Sequence, residues 1–162
     1  MSDNGIRGLH HAAYRCRDSG ETRVFYEDFL GLPLANAFEI NTTITGREAR
    51  VLHSFYQMAD SSFLAFFESP LEDFDFKDQH DFDLHIALEV DIETLHVMFD
   101  KGQASGIETR GISDHGFIHS IYFRDPNGYV VELTAKTDPD DNGLRNSARA
   151  NLDTWQETKP AG

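Results

Sequence analysis

Apolar positions along the chain fall into short segments of two different periods. Leu9-His10-His11-Ala12-Ala13-Tyr14-Arg15-Cys16 reads as a strand that closes in the polar turn Arg17-Asp18-Ser19-Gly20. From residue 21 to 30 the period lengthens. Phe25, Phe29 and Leu30 share one helical face, and Gly31 ends the run. Three extended stretches follow, over residues 37–43, 49–57 and 62–68, the last two joined by the turn Ala59-Asp60-Ser61. The same order then repeats. Leu84-His85-Ile86-Ala87-Leu88-Glu89-Val90 reads as a strand, and residues 92–101 place Leu95, Met98 and Phe99 on one helical face before Gly102. Further strands are predicted over 107–111, 117–123 and 129–135, with Asp125-Pro126-Asn127-Gly128 as a strong hairpin signal between the last two.

Each half therefore reads strand, helix, strand, strand, strand, which predicts an α+β fold of paired βαβββ modules. Module one covers residues 7–69, and module two covers 82–136. The acidic connector between them carries Pro70 and few strand formers. The two modules make one domain over residues 1–136. The tail, 137–162, starts a last helix within 138–142, with Leu144, Ala148, Leu152 and Trp155 as one apolar stripe. That stripe is expected to dock on its own domain or on a partner subunit.

The chain has 162 residues, 40% of them hydrophobic and 13 of them Phe, enough for one packed domain and against disorder. A net charge of −14 argues against nucleic acid or an anionic membrane as partner. No apolar run approaches transmembrane length, and Met-Ser-Asp-Asn-Gly lacks the basic and apolar regions of a signal peptide. Cys16 is the single cysteine, which excludes an internal disulfide and suggests a cytoplasmic location.

The repeat also organises the candidate chemistry. Laying His11 on His85 matches Ala13 with Ala87, and laying residues 63–66 on 130–133 matches Ala65 with Glu132. Four equivalent positions thus hold His, His, Glu and Ala. A single strand histidine is usually a packing residue, and Glu132 alone could face solvent by strand alternation. Agreement of the register at both pairs is what points to a metal. Two imidazoles and one carboxylate suit a divalent first-row ion and leave positions open for water, substrate or oxygen. His10 competes with His11 as the ligand of the first half. A second cluster precedes Glu132. Hairpin pairing through the Pro-Asn-Gly turn puts Tyr122 on the same sheet face as Glu132, and His115 lies at the mouth of that strand. Histidine is the side chain that exchanges protons near neutral pH, so His115 and Tyr122 are candidate catalytic residues.

Leu9-His10-His11-Ala12-Ala13, the stretch from Val24 to Leu32, and the stretch from Phe123 to Glu132 together resemble the vicinal oxygen chelate superfamily. This superfamily includes glyoxalase I, bleomycin-resistance proteins, fosfomycin-resistance enzymes and extradiol ring-cleaving dioxygenases. The resemblance spans roughly residues 7–136. It implies sheets curled into a cup around a metal, with His11, His85 and Glu132 as ligands. Glyoxalase I usually carries a fourth ligand where this chain has Ala65. Three ligands, with His115, Ile121, Tyr122, Asp125, Pro126, Gly128 and Glu132 in register, resemble the extradiol dioxygenases most. One departure is Ser61-Ser62, where ring-cleaving enzymes commonly carry a histidine as acid or base. Either another residue such as His53 takes that role or the reaction differs. The expectation is a metal-dependent dioxygenase for a catechol-like small molecule, with Fe(II) favoured and Mn(II), Zn(II), Ni(II) or Co(II) as alternatives. The rival readings are a glyoxalase-like lyase or isomerase and a non-enzymatic protein that sequesters a cationic drug. The resemblance and the apolar stripe of the tail together suggest a homodimer.

Overall fold

A computed structural model of the chain describes residues 5–137 and 143–160, with the backbone alone for 143–146. The expected helix start at 138–142 lies outside the described residues, as do residues 1–4 and the side chain of Leu144.

The first module runs β1 (His11–Arg15), α1 (Ser19–Arg23), β2 (Leu34–Thr42), β3 (Glu48–Gln57) and β4 (Phe63–Glu68). Asp18 caps α1 by accepting from Glu21 N at 2.8 Å. The helix does not run to Leu30 as one α-helix. It widens into a π-helical turn over Val24–Phe29, closed by Leu30 N donating to Phe25 O. The wider turn brings Phe25, Tyr26 and Phe29 all into the interior. Gly31, at φ +84°, ends it in the conformation expected of a helix-stop glycine.

The second module runs β5 (His85–Glu89), α2 (Ile92–Ala104), β6 (Thr109–Asp114), β7 (Ile118–Arg124) and β8 (Val130–Lys136). Asp91 caps α2 through Thr94 N at 2.6 Å. Each module forms a four-stranded mixed sheet, in the orders β1-β4-β3-β2 and β5-β8-β7-β6. The repeat register is visible in the pairing. β1 lies parallel to β4 with His11 opposite Phe63 and Ala13 opposite Ala65, and β5 lies parallel to β8 with His85 opposite Val130 and Ala87 opposite Glu132. The fold is α+β, built from paired βαβββ modules.

The inner faces of both sheets and both helices share one core, in which Tyr26, Tyr56, Phe66, Leu95, Ile121 and Phe123 are fully or almost fully buried. Rings of this size contribute about 1.5–3 kcal/mol each on burial. Several contacts join the modules across this core. Phe29 meets Phe123 edge-on at 5.2 Å, Tyr26 donates to Asp125 at 3.0 Å, and Arg17 N donates to Asn127 Oδ1 at 2.8 Å. Because these contacts use the core side, the outward residues of the two edge strands, His11 and Ala13 on β1 and His85 and Ala87 on β5, stay exposed.

The connector is held along the end of β1. The Arg15 guanidinium donates to Ser69 O and Glu72 O and lies over the Phe74 ring, Arg17 lies over Phe76, and Gln79 N donates to Gly128 O. Helix α3 (Gly143–Thr158) ends the chain, with Ala148, Leu152 and Trp155 all exposed. Among the described residues no helix is long and apolar enough to cross a membrane.

Candidate functional site

His85 and Glu132 meet on the open face of the second sheet. Glu132 sits opposite Ala87, two residues along β5 from His85, and its Oε2 lies 3.3 Å from His85 Nε2. Glu132 is buried, whereas His85 is exposed. The other ring nitrogen of His85, Nδ1, is 2.8 Å from the carbonyl of Asp81. A carbonyl only accepts, so Nδ1 carries the proton and neutral His85 presents a bare Nε2 lone pair. In that neutral form two acceptors face each other and call for a cation between them, whereas a proton on Nε2 makes the same contact an ion pair. A divalent metal satisfies both atoms, and a backbone carbonyl on the remote nitrogen is the usual partner of a metal-ligating histidine. The donor set therefore fits the ion the sequence implies.

His11 lies on the other sheet. Its Nδ1 is 2.8 Å from that of His10, its ring meets Phe55 edge-on at 5.7 Å, and His53 lies 6.4 Å away. Among the described residues, no three His, Cys, Asp or Glu side chains gather closely enough within one chain to hold a metal. One chain thus brings His85 and Glu132 together and presents His11 separately. Ala65, the fourth equivalent position, is fully buried opposite Ala13.

His115 and Tyr122 do come together. His115 lies in the loop between β6 and β7, and its Nε2 is 3.0 Å from the Tyr122 hydroxyl. Tyr122 is directly opposite Glu132 on β8 and Arg110 on β6. Burial, followed by the nearby Glu132 charge, pushes the Tyr122 phenol above its ordinary value. Tyr122 therefore keeps its proton and serves as a donor.

Two residues that the sequence reading missed complete this face. The Arg110 guanidinium forms a two-pronged bond with the Asp81 carboxylate, at 2.8 and 3.0 Å, and lies 5.1 Å above the Tyr122 ring. Those bonds hold the Asp81 carboxyl below the usual carboxylate range. Counting back from the Gly116-Phe117 turn sets Gly111 against Tyr122, and only the register shift between Gly111 and Ser113 brings Arg110 there instead. Nothing local in the sequence points to Asp81.

The open face of the first sheet is aromatic. His53 stacks on Phe67 at 3.7 Å and 13°, and Phe38 stacks over Phe55 at 6.0 Å. His53 Nδ1 lies 3.1 Å from Phe66 O. Burial lowers its readiness to take a proton, and the nearby His11 acts in the same direction. Phe55, Phe63 and Phe67 are half-buried among these rings. Phe66 lies on the other face of β4. Strand alternation turns it to the core, where Tyr26 covers it at 4.6 Å. Cations of the second sheet are tied to carboxylates: Arg110 to Asp81, Arg124 to Glu108, and Lys136 to Glu89.

A family model described as Glyoxalase/Bleomycin resistance protein/Dioxygenase superfamily matches residues 8–133. Solved structures with the same fold include a glyoxalase/dioxygenase from Nostoc punctiforme, 22% identical, with a TM-score of 0.62 over 85% of this chain and 96% of that one. A glyoxylase/bleomycin resistance protein/dioxygenase domain from Frankia sp. EAN1pec is 16% identical, with a TM-score of 0.64 over 81% and 98%. The fosfomycin resistance protein FosX from Listeria monocytogenes, complexed with Mn(II) and sulfate, is 21% identical, with a TM-score of 0.61 over 82% and 94%. No curated protein matches the chain.

Proposed function

The chain belongs to the Glyoxalase/Bleomycin resistance protein/Dioxygenase superfamily, and from that premise we propose that it is a metal-dependent, extradiol-type dioxygenase that opens the ring of a catechol-like aromatic. The observation that carries this reading is the His85–Glu132 pair, with Nδ1 of His85 committed to the Asp81 carbonyl and Nε2 turned on the carboxylate. His11 is the third ligand in this reading, supplied by a second copy of the chain, because one chain keeps it on the opposite sheet. The active unit is accordingly a homodimer, and helix α3 lies outside the catalytic body. The single cysteine, Cys16, is buried and free, which suits a reducing cytoplasm.

A divalent ion here, Fe(II) for ring cleavage, would lower the pKa of a bound hydroxyl and hold substrate and oxygen together. The remaining roles fall to the chain. The Tyr122 hydroxyl donates a hydrogen bond to an oxygen of the substrate and accepts one from His115 Nε2–H at 3.0 Å, so His115 orients that hydroxyl and stands beside it as the group that exchanges protons with solvent. His53 offers a neutral Nε2 beside His11 and takes the acid-base place that Ser62 leaves vacant. Phe38, Phe55, Phe63 and Phe67 suit the face and edge of a planar ring. The neutralised arginines and lysine of the second sheet favour an uncharged ring over an anion such as the dihydroxypropylphosphonic acid bound in one FosX structure.

The test is oxygen uptake by anaerobically Fe(II)-loaded protein with a panel of catechols. Uptake with a yellow ring-opened product is expected. No uptake, combined with oxygen-independent turnover of a thiohemiacetal, would replace the dioxygenase reading by a glyoxalase-like lyase or isomerase.

A further inference from the structure

Between Arg110 and Glu132 runs a closed path of contacts, most of which the proposed chemistry does not use. Arg110 on β6 faces Tyr122 on β7, which faces Glu132 on β8, which faces Ala87 on β5. Asp81, in the last turn of the connector, bridges back over this row. Its carboxylate takes both prongs of Arg110, and its own carbonyl takes Nδ1 of His85 at 2.8 Å. The turn carrying Asp81 is closed by Asp83 N and Leu84 N donating to His80 O, so side chain and carbonyl move as one piece. Arg110 is therefore linked to His85 through a single residue while its guanidinium covers the face of Tyr122 at 5.1 Å.

We propose that the Arg110–Asp81 pair is a positioning device for the metal site. It holds the Asp81 carbonyl where it fixes the tautomer and ring plane of His85, so that Nε2 faces Glu132. It also holds Tyr122 flat beneath the guanidinium, with its hydroxyl toward His115. Arginine suits the task because its planar fork fixes the carboxylate in orientation as well as distance, which a lysine ammonium does not. Neither residue touches substrate or metal. Both act through His85 and Tyr122.

This inference rests on the metal reading, and its test separates the two. Arg110→Gln, Arg110→Lys and Asp81→Asn are compared with wild type and with Asp28→Asn, which removes an exposed ion pair to Arg23 on another part of the surface. The first readout is the His85 tautomer in metal-free protein, by nitrogen-15 NMR of labelled histidine. The second is Co(II) affinity by titration calorimetry, with the visible spectrum of bound Co(II). Arg110→Gln and Asp81→Asn are expected to mix the His85 tautomers and weaken Co(II) binding roughly 10- to 100-fold. Arg110→Lys should fall between, and Asp28→Asn should match wild type. Unchanged tautomer and unchanged Co(II) affinity in both Arg110→Gln and Asp81→Asn would overturn the proposal. Should wild type bind no Co(II), the metal reading fails, and the tautomer signal alone decides the positioning role.

Discussion

His53 lies between a ring and a carbonyl, stacked on Phe67 and bonded to Phe66 O. It takes a proton less readily in the fold than the ordinary imidazole value of 6.5. As pH falls through about 6.5, the unfolded chain binds that proton first, so stability contributed above this pH is lost below it. Wild type is expected to lose stability between pH 7 and 5, and His53→Gln to show a flatter profile, as measured by urea unfolding at each pH. Identical slopes would remove burial of neutral His53 as the cause. At this scale the sequence revealed what the repeat duplicates: His11 with His85, and Glu132 with Ala65. Tyr122 followed from the Asn127-centred hairpin, which sets it against Glu132. Asp81 was hidden because its partner, Arg110, is 29 positions away and the contact crosses from a connector to a strand. No period or turn encodes such a contact.

Between elements, the join of the two modules depends on the β7–β8 turn. Asp125 is buried there and accepts from Tyr26 OH, Asn127 N, Asn127 Nδ2 and Tyr129 N. Burial still pushes its carboxyl above the ordinary value, so each of these donors matters. Tyr26→Phe keeps the ring against Phe66 and deletes one donor to this buried group. The expected cost is about 1.5–3 kcal/mol in unfolding free energy, read by urea titration. A change under about 0.5 kcal/mol would mean that the bond does not pin the modules. The strands and their order were legible because alternation and turn chemistry are local. The π-helical turn was not, since Phe25, Tyr26 and Phe29 suit either helix period and only tertiary packing selects the wider one. For helix α3 the sequence showed the stripe but not its place. The core closes without it, leaving Leu152 51% and Trp155 61% exposed.

For the whole molecule, the duplicated sequence announced two matching modules but not how they face each other. Back-to-back packing through Phe29, Phe123 and Tyr26 is a question of which surfaces bury most area. It leaves β1 and β5 as edge strands, each carrying one exposed histidine. Unpaired strand edges are natural places for a second copy to add. In a twofold pair, His11 of one copy can complete His85 and Glu132 of the other, giving two sites. The most direct measurement is metal binding by a heterodimer of His11→Ala and Glu132→Ala chains, purified with two different tags. Each variant alone is expected to bind no Co(II) tightly. Their heterodimer should regain one tight site per dimer, half the wild-type number, because one of its two sites keeps all three ligands. A heterodimer as empty as its parents, or single variants that bind as wild type does, would contradict the account.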